Sequence, residues 1–140
     1  MNAKPLLIIS LALLLFACAS GGSGKEIAGE VRMLHDSLMK LHDETMASHS
    51  SCLSLIDELK DLSAAAPDAG KVQIDSVRTE LDYTSEIMMD WMAAYQDPVT
   101  EDTVAAGYLK EQIKAVREIA RIQELNLGAA RVLLKKENPE

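Results

Sequence analysis

Between Lys25 and Leu62 the chain has no proline, and its seam positions step by four and three. They are Ile27, Val31, Leu34, Leu38 and Leu41, then the polar pair Thr45 and Ser48, then Cys52, Leu55, Leu59 and Leu62. A 4-3 step sustained for about five repeats is a heptad seam, which an α-helix presents as one continuous stripe and a strand does not. At 1.5 Å per residue that helix is roughly 57 Å long. A stripe of that length must be covered by other helices, so the chain is predicted to be all-α with long coiled-coil-like helices. Thr45 and Ser48 fall at mid-helix, where small polar residues allow close helix approach, admit a water, or open a cleft.

The pattern breaks at Ser63-Ala64-Ala65-Ala66-Pro67-Asp68, because Pro67 disfavours helical geometry at Ala66. A second seam of the same regularity follows: Ile74, Val77, Leu81, Thr84, Met88, Trp91 and Tyr95. Asp97-Pro98-Val99-Thr100 closes that helix. Thr100 followed by Glu101 and Asp102 reads as an N-cap with acids at the positive end of the next helix dipole. The third helix carries Leu109, Ile113, Val116, Ala120, Leu127 and Leu134 on its seam, with Ile119, Ile122 and Leu133 beside it. So broad a stripe suits a helix lying over the groove between two others. The expected domain is residues 25–140, with helices over about 25–62, 68–96 and 101–136, and connections this short force neighbours to run antiparallel. The predicted architecture is an up-down-up antiparallel three-helix bundle.

Charge divides along the same boundaries. Residues 25–62 hold 4 bases and 8 acids, residues 68–97 hold 2 and 7, and residues 101–140 hold 7 of each. Acidic first and second helices beside a basic third favour all three packing together, although exposed pairs stabilise by less than about 1 kcal/mol each. The overall formal charge of −8 argues against nucleic-acid binding, which needs a cationic surface to displace counterions from phosphates.

The N-terminus reads as an address. Lys4 precedes an apolar run from Leu6 to Phe16 broken only by Ser10, about 17 Å of helix against a hydrocarbon core of about 30 Å. It is a signal-peptide core, too short to span. Leu15-Phe16-Ala17-Cys18 resembles the bacterial lipobox. That resemblance implies cleavage after residue 17 and a covalent diacylglycerol and N-acyl lipid on Cys18, with no other cofactor expected. Residues 18–24 supply the lipidated cysteine and a small, uncharged Gly/Ser tether. Two or three acyl chains anchor stably. By similarity to enteric lipoproteins, Ala19 after the cysteine implies sorting to the outer membrane, and the lack of an acidic run in the tether favours the periplasmic face. With Cys18 lipidated, Cys52 is the one thiol of the mature chain, so it forms no internal disulfide and is expected to be buried.

Few constellations invite chemistry. His35, His42 and His49 recur every seven residues, about 10.5 Å of rise, too far apart to share one metal ion. Folding the first two helices back on the Pro67 turn brings Met39, His42 and Met46 opposite Met88, Trp91 and Met92. Thioethers and an imidazole together suit a soft ion such as Cu(I), and a Met-rich groove also accepts apolar ligands, yet methionine at helical spacing is most often core filling. No Ser, His and Asp set is assembled by the seams, so no catalytic residue is assigned and the chain is expected not to be an enzyme.

The stretches Leu41-His42-Asp43-Glu44-Thr45-Met46, Met88-Met89-Asp90-Trp91-Met92 and Tyr108-Leu109-Lys110-Glu111-Gln112 resemble a family of small bacterial lipoproteins labelled viral A-type inclusion protein repeat. The similarity runs from about Val31 to Leu134. It implies lipidation and helical architecture, and makes the hairpin region around Trp91 the family's signature, without assigning an activity. The function expected from all this is a lipid-anchored, noncatalytic interaction or structural module of the cell envelope, whose partner is an envelope protein or a second copy of the chain. The alternative expectation is a periplasmic binder of a small apolar ligand, a soft metal ion or an unfolded client through the Met/Trp-rich region.

Overall fold

The computed structural model describes residues 23–100 and 103–137. The signal peptide, the lipobox, Cys18 and most of the tether lie outside the described residues. Within them the chain is all-helical: α1 (Ser23–Ala47), α2 (His49–Ala65), α3 (Asp68–Ala94) and α4 (Ala105–Glu137). The three-helix architecture expected from the seams is the one observed, with the first arm interrupted once. Ser23 and Gly24, expected in the tether, open α1.

The interruption corrects the expectation of one continuous helix from 25 to 62. The Ser48 N–H bonds Thr45 O at 3.2 Å, a tighter turn than the α-helical ladder, and the ladder resumes with Cys52 N to Ser48 O at 3.2 Å. The cause is local. Thr45 Oγ1 donates back to Leu41 O at 2.8 Å, as Thr84 Oγ1 does to Glu80 O within the unbroken α3, so the back-bond weakens the helix only together with the residues that follow. Ser48, His49, Ser50 and Ser51 follow, all weak helix formers.

The Pro67 turn forms as expected. Ala66 (φ −77°, ψ 149°) and Pro67 (φ −67°, ψ 155°) are extended, and Pro67 O accepts from Gly70 N and Lys71 N to start α3. Ser63 Oγ donates to Asp75 Oδ1 at 2.7 Å and ties the two sides of the turn. The other boundary needs correction: α4 begins at Ala105, not at residue 101, and Thr100 is an exposed turn residue. Ala105 is the first α4 side chain buried in the core. The chain reverses between Ala94 and Ala105, with Tyr108 Oη accepting from Gln96 N at 3.1 Å across the connection.

Two apolar clusters hold the bundle. One joins Val31 and Leu38 of α1, Met88 of α3, and Ala105, Leu109, Ile113, Val116 and Ile119 of α4. The other joins Cys52, Leu55 and Leu59 of α2, Ile74 and Leu81 of α3, and Leu127, Ala130 and Leu133 of α4. Cys52 is buried, as its place in the seam requires. Between the clusters lies a polar waist of Thr45, Thr84, Gln123 and Asn126. Asn126 Nδ2 donates to Thr84 Oγ1 at 2.8 Å and to Glu80 O at 3.0 Å, locking α4 to α3. Charge sorting across helices is sparser than the segment charges suggest. Lys110 Nζ meets Glu30 of α1 at 2.8 Å, whereas Lys114 and Arg121 pair with Glu111 and Glu118 of their own helix.

Candidate functional site

The antiparallel fold of α3 on the first arm brings the six methionine, histidine and tryptophan residues to one end of the bundle. Met39, Met46, Met88, Trp91 and Met92 all pack in the first cluster. His42 Nε2 stands 3.1 Å from Met92 Sδ, and its ring lies 5.7 Å from the Trp91 ring. The backbones of α1 and α3 make no close approach, because α4 wedges between them, so these large side chains bridge the gap. Met88 is fully buried, while Met39, His42, Met46, Trp91 and Met92 are half-buried.

Around this group the structure adds partners that seam reasoning passed over. Trp91 Nε1 donates to Gln112 Oε1 at 2.8 Å. Trp91 stacks on Tyr95 at 5.2 Å and Tyr95 on Tyr108 at 6.1 Å, an aromatic row closing the end of the bundle. The Tyr95 hydroxyl is buried without a well-formed hydrogen bond; burial, and then the nearby Asp97 carboxylate, push its ionisation well above the ordinary phenol range. His35 Nε2 meets Asp97 Oδ1 at 3.2 Å, pinning α1 to the α3–α4 connection. His49 opens α2, more than two turns of helix beyond Met39, so the three histidines act separately.

Chemically, the His42 imidazole and Met92 thioether face one another as two soft donors, with Met88 and Met46 in the same cluster. Among the described residues no three His, Cys, Asp or Glu side chains converge in the manner of a metal site.

A separate feature lies at the waist. A groove of about 330 Å³ runs beside the Ser48 break, lined by Leu41, Glu44, Thr45 and Ser48 on one wall and by Ala120, Gln123, Glu124, Leu127 and Arg131 of α4 on the other. Gln123 occupies a core position, 5% exposed, and its Nε2 donates to Cys52 Sγ at 3.5 Å. Burial raises the Cys52 thiol above its ordinary range, against smaller lowering influences from Gln123 and Arg131. The sequence seam of α4 steps from Ala120 to Leu127; continuing the strict 3-4 count through the polar position identifies Gln123 as the residue between them. The same count places Ile119 beside the seam, whereas it is buried and Ala120 only half-buried.

No helix among the described residues is long and apolar enough to cross a membrane. Comparison with protein-family models, with curated proteins and with solved structures gives no match to this chain.

Proposed function

We propose that this chain is a lipid-anchored bacterial envelope protein, held on the outer membrane by acylated Cys18 and facing the periplasm, whose helical body is a noncatalytic docking module for an envelope protein or a second copy. The lipobox and tether supply the anchor, and the resemblance to inclusion-repeat lipoproteins agrees with it. The observation that carries the docking role is apolar surface left outside the core on α3 and α4. Leu125 and Val132, seven residues apart on one face of α4, are 59% and 70% exposed, and Tyr83 of α3 is 51% exposed. The Asn126 bonds to Glu80 and Thr84 set Leu125 and Tyr83 at the same height along the α3–α4 seam. Isolated exposed apolar residues are ordinary, but a set aligned along one seam is what a partner helix covers.

The test is photo-crosslinking in living cells from probes at Arg121 and Lys114 of the lipidated protein. A discrete adduct from Arg121, one turn before Leu125, and not from the same probe in a Leu125→Lys, Val132→Lys variant, is expected. Absence of adducts from folded, abundant protein overturns the docking role. Labelling with an alkyne analogue of palmitate, lost in Cys18→Ser, checks the anchor; retained labelling overturns it.

The 3.1 Å approach of His42 Nε2 to Met92 Sδ favours a second reading, a soft metal ion held at the Trp91 end. Cu(I) uptake by the full chain that Met88→Leu with Met92→Leu abolishes supports that reading, and unchanged stoichiometry removes it.

A further inference from the structure

α3 and α4 carry opposite charge: α3 holds six acids and two bases, α4 seven bases and four acids. Thr84 and Asn126 bond across the seam and so mark the sides by which the two helices face each other. A helix turns about 100° per residue, so Tyr83 and Leu125 lie about 100° round from those sides, Glu86 and Asp90 about 160° and 120° round α3, and Arg117 and Arg121 about 180° and 140° round α4. All six are exposed on the outward face, the apolar pair nearest the seam and the charges beyond it.

The Asn126 bonds to Thr84 and Glu80, with the Trp91 bond to Gln112, set the register of the antiparallel pair and put Glu86 level with the turn from Arg117 to Arg121. Within one chain these acids and bases cannot meet, because each points away from the seam. Glu86, Asp90 and Arg117 form no ion pair or hydrogen bond among the described residues, and Arg121 reaches only Glu118 of its own helix. Groups that are level yet turned apart in one copy meet when a second copy is laid over the first by a half turn about an axis running along the bundle beside the seam. That rotation keeps every height and sets α3 of each copy on α4 of the other. It also leaves both α1 N-termini at one end, as two chains anchored in one membrane require.

We propose that the outer α3–α4 face binds a second copy of this chain in a parallel two-fold dimer, with Tyr83, Leu125 and Val132 at its centre and Glu86 and Asp90 of each copy against Arg117 and Arg121 of the other. The dimer rests on the docking role and membrane anchor proposed above and gives that surface its partner. From exposed Val72 to exposed Asp90 the face runs about 27 Å, and two helices about 10 Å apart make it roughly 20 Å wide. That is about 500 Å² from each copy, or about 1,000 Å² in all, the lower limit for a specific interface. Such a contact is weak in dilute solution and is strengthened when both chains are confined to one membrane surface.

Ala129, exposed and about 60° round α4 from Asn126 on the outward side, lies beside the two-fold axis. The experiment treats the full lipidated chain carrying Ala129→Cys, in native membranes, with a short bis-maleimide; Cys52 is buried and is not linked. A two-copy band is expected. Adding Glu86→Lys with Asp90→Lys, or Arg117→Glu with Arg121→Glu, brings like charges together on both sides of the axis and should cut the band about tenfold or more. Co-expressing the two variants should restore it, because each α3 then meets an α4 of opposite sign. All four charged positions are exposed, and circular dichroism checks that the variants fold. No two-copy band, a band that neither variant weakens, or co-expression that fails to restore it overturns the dimer. An adduct from the Arg121 photo-probe whose mass is not that of two copies overturns the dimer and leaves the docking role intact, whereas absence of any adduct overturns both.

Discussion

Replacing Gln123 by leucine should raise the stability of this protein. Gln123 sits in the core stripe of α4 between Ile119 and Leu127, 5% exposed, and its one hydrogen bond is a long contact to the Cys52 sulfur at 3.5 Å. Fully burying a leucine side chain stabilises by about 1.5–3 kcal/mol relative to leaving it exposed, and the amide it replaces contributes no comparable transfer energy. Losing the bond to Cys52 costs at most about 1 kcal/mol, and the helix propensities of the two residues are nearly equal. Because one side of the position borders the groove, part of the leucine stays wet and the transfer gain falls towards its lower limit. The net expectation is about 1 kcal/mol of stabilisation, near 4 °C in Tm for a folded body of this size. Urea unfolding followed at 222 nm should show a higher midpoint with an unchanged slope. A loss of 1 kcal/mol or more would mean that Gln123 anchors a connected polar network, and would refute the view of the waist as a break in the core.

Other outcomes follow from the packing. Leu81→Ala, at a fully buried position where α2, α3 and α4 meet, should cost about 3 kcal/mol in urea unfolding; a cost under about 1 kcal/mol would place Leu81 outside the core. Asn126→Ala removes the donor to both Thr84 and Glu80 and should cost about 1–2 kcal/mol, while a Thr84→Val, Asn126→Leu pair should recover most of it, and failure to recover would argue against a bond local to that pair. The Cys52 thiol, buried and raised in pKa, should react with an aromatic disulfide reagent at pH 8 only at the rate of chain opening; a fast reaction in native buffer would contradict its burial. Cys52 and Tyr95 are both raised in the folded state, so their stabilising contributions are complete below the ordinary thiol and phenol ranges, about 8.5 and 10, and are lost as pH climbs through them towards the folded values. The urea midpoint should fall between pH 8 and 10.5, and Cys52→Ala should flatten the lower part of that fall; an unchanged slope in the variant would remove Cys52 as its source.

What the amino-acid order determined by itself is everything that follows from periodicity and from local backbone chemistry. Heptad steps in three segments dictate helices with one apolar stripe, Pro67 dictates the first reversal through its effect on Ala66, and short connections dictate the alternation of direction. Those are consequences of side-chain spacing and of steric rules that act within a few residues, so they are visible without coordinates. The helix break was half visible: Thr45 and Ser48 stood out as polar seam residues, but Thr84 makes the same back-bond in α3 without a break, so the tighter turn at Ser48 rests on a helical balance too close to read from spacing. The meeting of Met39, His42 and Met46 with Met88, Trp91 and Met92 was legible too, because an antiparallel reversal at a known turn sets which residues face each other. Tertiary structure alone decided the start of α4 at Ala105, since a helix begins where its first buried side chain meets the core and not at the first good cap. It alone divided the core in two at Gln123 and Asn126, and it alone set Glu44, Glu124 and Arg131 around one groove. Such groupings depend on the relative height and rotation of parallel helices, quantities fixed by how α4 fits against α1 and α3 and carried by no single segment of the chain.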